Sequence, residues 1–263
     1  GKILLPLLGG TPAVWNTCMV FYQTLLFLGY LYAHRISSNL STLRQIQIHT
    51  VFLIISIIAL PVALPDNLDP PTESNPSLWL IAVLFRSIGI PFFVVSTTAP
   101  LLQRWFSRTG HDKSHDPYFL YAASNAGSLL ALISYPFLIE PNIGLSNQRL
   151  LWSAGYGLLC LFVVGCAFLL WRRQNTAFEQ NPIESAPDSA LPAPPTLQKQ
   201  LHWLALAFVP SSLLLGLTQF ISTDIASVPL LWIVPLTVYL LSFILVFSSW
   251  ADRIPSLMVS IQH

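Results

Sequence analysis

Residues 150–171 read LLWSAGYGLLCLFVVGCAFLLW, a run without one charged side chain, entered from Arg149 and closed by Arg172 and Arg173. About 20 predominantly apolar residues carry a helix across the hydrocarbon core of a bilayer, so this stretch predicts a transmembrane span. The rest of the chain has the same character. Of its 263 residues 54% are hydrophobic and only 9% charged, and its mean hydropathy is +0.63. An average soluble domain has about 25% charged residues, and so few charges could not solvate the surface of a chain this long. Lipid is the solvent that fits, since every backbone group of a helix is satisfied within the segment.

Six further runs predict spanning helices besides residues 150–171, at 12–33, 50–64, 78–98, 118–139, 202–221 and 229–250. The run at 50–64 is short and reaches spanning length if it starts near Ile46. The opening apolar run, Ile3 to Leu8, is too short to span, and the expectation is a first helix that has lost its N-terminal half. The predicted fold class is therefore all-α, a polytopic transmembrane helix bundle.

The loops predict an orientation. One set of helix ends carries Arg35, Arg44, Arg104, Arg108, Lys113, Arg172, Arg173, Lys199 and Arg253, whereas the other carries only Arg149. That second set also holds Asp66, Asp69, Glu73, Glu140 and Asp224. Such asymmetry places the basic ends in the cytoplasm. Tyr30, Tyr32, Trp105, Trp171, Trp203 and Trp250 lie where interfacial aromatic anchors are expected. The formal net charge of +1 gives no field for nucleic acid, which excludes that partner class.

The expected organisation is a first transmembrane bundle over residues 1–173, a cytoplasmic linker over 174–200, two further helices over 201–250 and a tail over 251–263. The linker reading rests on Pro182, Pro187, Pro192, Pro194 and Pro195, with Glu179, Glu184 and Asp188 among them.

Few side chains carry chemistry. Arg86 falls near the middle of its span, where a charge costs a few kcal/mol, so it is expected to face the bundle or a water-filled cavity. It reads either as an anion or substrate contact or as a structural pair; no acid lies at matching depth, and Asn125, Gln23 and Asn16 are the neutral candidates for its neighbour. Asn125 sits among Ala123, Ser124, Gly127 and Ser128, whose four-residue spacings suit close helix packing, and its amide needs a partner. Asp224, in a short turn after Thr223, either caps the following helix or binds a cation. Arg86, Asn125 and Asp224 are thus the candidate substrate-binding residues. Pro91 and Pro100 mark a bent helix, with Ser96, Thr97 and Thr98 placed to satisfy freed carbonyls. His111 and His115 have metal-ligand spacing on a helix, but Gly110 and Pro117 make the segment a loop, and no metal site is assigned. Cys18, Cys160 and Cys166 are scattered through apolar runs and form no disulfide framework or zinc motif. No phosphate-binding loop, cofactor motif or complete catalytic constellation is present.

Four strings, in order, carry a resemblance: Gly1-Lys2 with Leu5-Pro6 and Gly9-Gly10-Thr11-Pro12-Ala13-Val14-Trp15; the run from Pro91 to Gln103, PFFVVSTTAPLLQ; the run from Asp116 to Asn125, DPYFLYAASN; and Thr223-Asp224-Ile225-Ala226 with Pro229-Leu230-Leu231-Trp232. They resemble the membrane region of bacterial spermidine synthase-like integral membrane proteins, often described as fused major-facilitator and spermidine synthase proteins. The resemblance covers nearly the whole chain. It implies a major-facilitator-like first half plus two further helices in the bacterial inner membrane. It also implies an aminopropyltransferase-like domain elsewhere, whose catalytic residues have no positions here onto which to be carried. Arg86 is not part of that pattern.

Three functions follow as expectations: a membrane module that anchors, or passes a small polar solute to, a synthase domain; a transporter-like protein for a small solute; or a structural subunit of a larger membrane complex. The expected partners are the lipid bilayer and a synthase domain or other membrane subunits.

Overall fold

Alternation between apolar runs and polar turns dictates the elements. The computed structural model describes residues 12–60, 76–109, 111, 114, 117–180, 195–221 and 233–248, and among these every regular element is helical. In chain order they are α1 (Pro12–Asn39), α2 (Thr42–Ile58), α3 (Pro76–Leu84), a π-turn (Phe85–Gly89), α4 (Ile90–Phe106), α5 (Phe119–Ser134), a second π-turn (Tyr135–Ile139), α6 (Glu140–Asn142), α7 (Leu145–Gln180), α8 (Leu197–Phe220) and α9 (Ile233–Val246). Asp224, His115, the opening apolar run, residues 181–194 of the expected linker and the tail lie outside the described residues.

Four continuous helices are long and apolar enough to cross a membrane: Pro76–Phe106, Phe119–Asn142, Leu145–Arg172 and Leu197–Phe220. Thr42–Ile58 and Ile233–Val246 are shorter apolar helices. Helix α1 has 28 residues, but Asn16 and Gln23 interrupt its apolar run. The helix expected over residues 50–64 starts earlier, at Thr42, because its polar residues turn inward, as described below. Two helix ends also reach into the expected linker, since α7 continues to Gln180 and α8 begins at Leu197, where the Thr196 hydroxyl accepts from the Lys199 amide.

Both π-turns stand in the same relation to a proline. Each covers five residues and is followed, after one intervening residue, by Pro91 or Pro141. Proline lacks an N–H and its ring clashes with the carbonyl four residues back. Widening the preceding turn relieves that clash, and at the second site the Glu140 amide reaches five residues back to the Tyr135 carbonyl. Pro76–Phe106 is thus one long helix with a local change of register at Phe85–Gly89. Its hydroxyls do not compensate Pro100 as expected. Ser96 donates to the Phe93 carbonyl at 2.7 Å, and Thr97 and Thr98 donate to that of Val94 at 2.7 and 2.9 Å.

The chain divides into two compact units, Gly1–His115 with Ile143–Ala177, and Asp116–Asn142 with Phe178–His263. In the first, α1 packs along α4 and against α3, and α2 also packs on α4. Gly29 makes the α1–α4 approach possible: a Cβ there would collide with the Ser96 hydroxyl and lie 3.3 Å from the Ser96 backbone. Ala33, one turn on, is buried as well, so the close-packing pair of this unit is Gly29 and Ala33. The core joins Ala33, Leu53, Val94, Leu101 and Trp105 to Tyr156, Cys160 and Val163 of α7.

In the second unit α5 packs along α9 and α8 touches α9. Tyr118 and Tyr121 meet Phe247 at ring-centre distances of 6.0 and 5.3 Å. The expected packing of Ala123, Gly127, Ser124 and Ser128 is not found: these four are exposed, and a Cβ on Gly127 would meet nothing within 4 Å. The half-buried stripe is Ala122, Asn125, Ala126 and Leu129, one residue out of phase. Large apolar side chains cover the outside of both units, among them Ile58, Phe137, Leu161 and Leu213. In water that surface would be untenable; in lipid it is the expected exterior.

Candidate functional site

Helix α2 is amphipathic in the reverse of the soluble sense. Its buried residues are Thr42, Gln45, His49, Leu53 and Ser56, spaced by three and four, four of the five being polar. Leu43, Ile48, Val51, Ile54, Ile55 and Ile58 are exposed on the other side. Arg44 and Gln47 are exposed as well, near the basic end, whereas from Ile48 to Ile58 the helix turns the His49 imidazole and the Ser56 hydroxyl inward and its isoleucines outward, which matches an apolar surrounding and a polar interior. At 1.5 Å per residue the stripe from Thr42 to Ser56 extends over about 21 Å, roughly two thirds of the ~30 Å hydrocarbon thickness.

The polar groups along this seam are bonded at both ends. At one end Gln45 Nε2 donates to the Leu40 carbonyl at 2.7 Å, and Gln45 Oε1 accepts from the Trp105 indole at 3.2 Å. There Arg108 donates to the Thr42 hydroxyl at 2.6 Å and to the Ser37 carbonyl at 3.4 Å, tying the turn between α1 and α2 to the end of α4. Burial first, and Arg104 second, pull the Arg108 guanidinium down from its ordinary value. At the other end the Tyr156 hydroxyl donates to Ser56 Oγ at 2.6 Å, while Ser56 donates to the Leu53 carbonyl at 2.7 Å. Thr97 and Ser96 add buried hydroxyls from α4.

Between these ends sits His49, 1% exposed, and neither of its ring nitrogens has a hydrogen-bond partner. The Tyr32 hydroxyl on α1 is buried and unpartnered too. The two rings lie with centres 6.3 Å apart. Their shared depth follows from the sequence, because each stands seven residues from its own end of the α1–α2 turn, Asn39 or Thr42. Aromatic side chains wall the pair. Phe52 and Phe93 lie 5.4 and 5.5 Å from Tyr32, and Trp105 lies 6.1 Å from His49, all edge-on. A buried donor or acceptor left unmade costs about 1–3 kcal/mol, so three such atoms in one core mark a place that something else completes.

Arg86 is not one of the seam's side chains. Arg86 occupies the first π-turn and is exposed, with no hydrogen bond or ion pair among the described residues. It is not buried against the described residues. Asn125 belongs to the second unit, where it is half-buried and its amide donates to the Tyr121 carbonyl of its own helix at 2.8 Å. Its polar need is met locally. Asp224 lies outside the described residues. His111 is exposed, and no group of metal-ligating side chains occurs among the described residues. Cys18 and Cys160 are buried and unpaired in the apolar core, as small packing residues would be, whereas Cys166 is exposed.

The His49 seam was missed because a span starting at Thr50 leaves Thr42, Gln45 and His49 in a loop. Its signal was partly present in the sequence: polar residues at 42, 45, 49 and 56 keep helical spacing, although Arg44, Gln47 and Thr50 in the same run do not share it. No family model matches the chain, and neither does any curated protein or solved structure.

Proposed function

We propose that the chain is a multi-pass membrane module whose first helical unit binds and passes a small polar solute along the inner face of α2. One observation carries the reading: His49 is fully buried with both nitrogens unpartnered, midway along a polar stripe inside an otherwise apolar bundle. An imidazole offers a donor at one nitrogen and an acceptor at the other, so it can hand a hydrogen-bonding solute from one neighbour to the next. Thr97, Ser96, Ser56 and Tyr156 supply further polar positions at and beyond it. The buried polar side chains from Gln45 to Ser56 are neutral.

The asymmetry of basic residues supports an orientation in a bacterial inner membrane with Arg35, Arg44, Arg104 and Arg108 on the cytoplasmic side. Solute would then meet the Arg108–Thr42 contact at that face, about 10 Å above His49 at the helical rise. The resemblance to spermidine synthase-like membrane proteins supports a further reading, in which the module serves an aminopropyltransferase-like domain. No carboxylate is buried among the described residues of the seam, so the seam itself is not built for a polyamine.

Proteoliposome swelling tests the proposal. Vesicles containing the full chain are expected to shrink and recover faster than empty vesicles when challenged with glycerol or urea, and His49→Leu is expected to return the rate to that of empty vesicles. Equal rates for the wild type and His49→Leu would refute passage along α2.

A further inference from the structure

We infer that Tyr32 and His49 form a two-point binding site for an uncharged solute that bears both a hydrogen-bond donor and an acceptor, and that the site rejects polyamines and carboxylates. The inference deepens the solute reading above and rests on it for the site's use.

Complementarity is the first argument. Tyr32 and His49 leave three buried polar atoms without a partner: a phenolic hydroxyl that both donates and accepts, and two ring nitrogens. Together they ask for a ligand with both kinds of group. Amides, ureas and polyols meet that need; a carboxylate only accepts and an ammonium only donates.

Charge is the second. The buried polar residues among those described are Thr42, Gln45, His49, Ser56, Ser96, Thr97, Thr98 and Ser114, with no carboxylate, lysine or arginine among them and His49 the one side chain that can take up a proton. Around the pair, the titratable or charged groups are Tyr32 on α1, Tyr156 and Cys160 on α7, and Arg108 after α4, whose guanidinium is engaged by Thr42 and Ser37. The rings of Phe52, Phe93 and Trp105 could attract a cation, at about 0.5–2 kcal/mol each. Desolvating an ion costs several kcal/mol per charge, so three rings without a counter-charge do not hold a tri- or tetravalent polyamine. The same rings suit the small apolar body of a neutral solute.

Position is the third. Gln45 is committed to Trp105 and Leu40, and Ser56 to Tyr156 and Leu53, so the groups on either side of the pair are already satisfied. Of the four unpartnered buried side-chain atoms among the described residues, three belong to Tyr32 and His49, whose ring centres lie 6.3 Å apart, and the fourth is Ser87 Oγ.

The test uses the full chain in lipid nanodiscs with isotope-labelled histidine, and His49 is assigned by the signal lost in His49→Gln. Acetamide, urea and glycerol are titrated against spermidine and acetate. The expected result is a saturable shift of the His49 ring signal with at least one neutral probe and none with spermidine or acetate. In Tyr32→Phe, which keeps the ring against Phe52 and Phe93, the midpoint should weaken about tenfold. If no neutral probe moves His49, the pair holds water at most and the inference fails. It fails equally if spermidine or acetate produces the saturable shift, or if Tyr32→Phe leaves the midpoint unchanged. A His49 shift without faster vesicle swelling would retain the site and refute passage, whereas swelling without a shift would do the reverse.

Discussion

At the scale of single residues, the seam separates groups that hold the fold from groups that leave it incomplete. Ser56 accepts from Tyr156 and donates to Leu53, so the two partners of that bond are not equivalent. Tyr156→Phe removes a hydroxyl and leaves Ser56 bonded to Leu53, whereas Ser56→Ala leaves the Tyr156 hydroxyl with only the weakly bonding Cys160 thiol as a partner. Thermal unfolding in detergent should therefore show Ser56→Ala to be the more damaging, by about 1–3 kcal/mol against about 1 kcal/mol for Tyr156→Phe. The reverse order would mean that Cys160 alone satisfies the Tyr156 hydroxyl. His49 behaves differently because its nitrogens are unpaired in the absence of solute. His49→Leu should unfold at the same temperature as the wild type or higher, while losing probe binding, the pattern of a site kept for use at the expense of stability. A strongly destabilised His49→Leu would identify the imidazole as a structural member of the core.

At the scale of elements, close approach and proline placement shape the first unit. Gly29 lets α1 lie against the Ser96 turn of α4, so Gly29→Val should force the helices apart and destabilise by about 1–3 kcal/mol. Wild-type stability in Gly29→Val, by the same unfolding measurement, would show that the two helices do not pack at this point. Arg86, exposed on the π-turn, is expected to contribute an insertion cost and no bond. Arg86→Leu should improve membrane insertion of Pro76–Phe106 by about 2–3 kcal/mol in a translocation assay. Unchanged insertion would mean that the guanidinium reaches the interface along its aliphatic stem. The π-turn itself was only half legible in the sequence. Pro91 announces a local distortion, but the rule that a proline widens the turn before it does not say which face Arg86 then takes. The small-residue pattern in α5 misled for a similar reason. Ala123 and Gly127 have the spacing that allows close packing, yet the spacing recurs one residue away at Ala122 and Ala126, and only tertiary contact chooses between them.

At the scale of the whole molecule, composition made the membrane assignment legible, because so few charges cannot solvate a protein of this length in water. The runs expected at residues 78–98 and 150–171 fall within helices long enough to cross a bilayer, and those at 118–139 and 202–221 overrun such helices by one residue each. Burial direction was not legible from hydropathy alone. It averages over a turn and so treats Thr42, Gln45 and His49 as reasons to exclude a segment, when their spacing marks the inner face of α2. The central claim is that α2 lies in the membrane with this polar stripe inward, and a spin-label scan tests it most directly. With Cys18, Cys160 and Cys166 replaced, single cysteines at positions 42 to 58 of the full chain in liposomes would each carry a nitroxide. Collision with oxygen, which concentrates in lipid, is expected to rise and fall with a period near 3.6 residues. Maxima should fall at 43, 47, 48, 51, 54, 55, 57 and 58, and minima at 42, 45, 49, 53 and 56. Maxima at 45 and 49, or uniform collision with a water-soluble relaxant along the whole segment, would contradict the account.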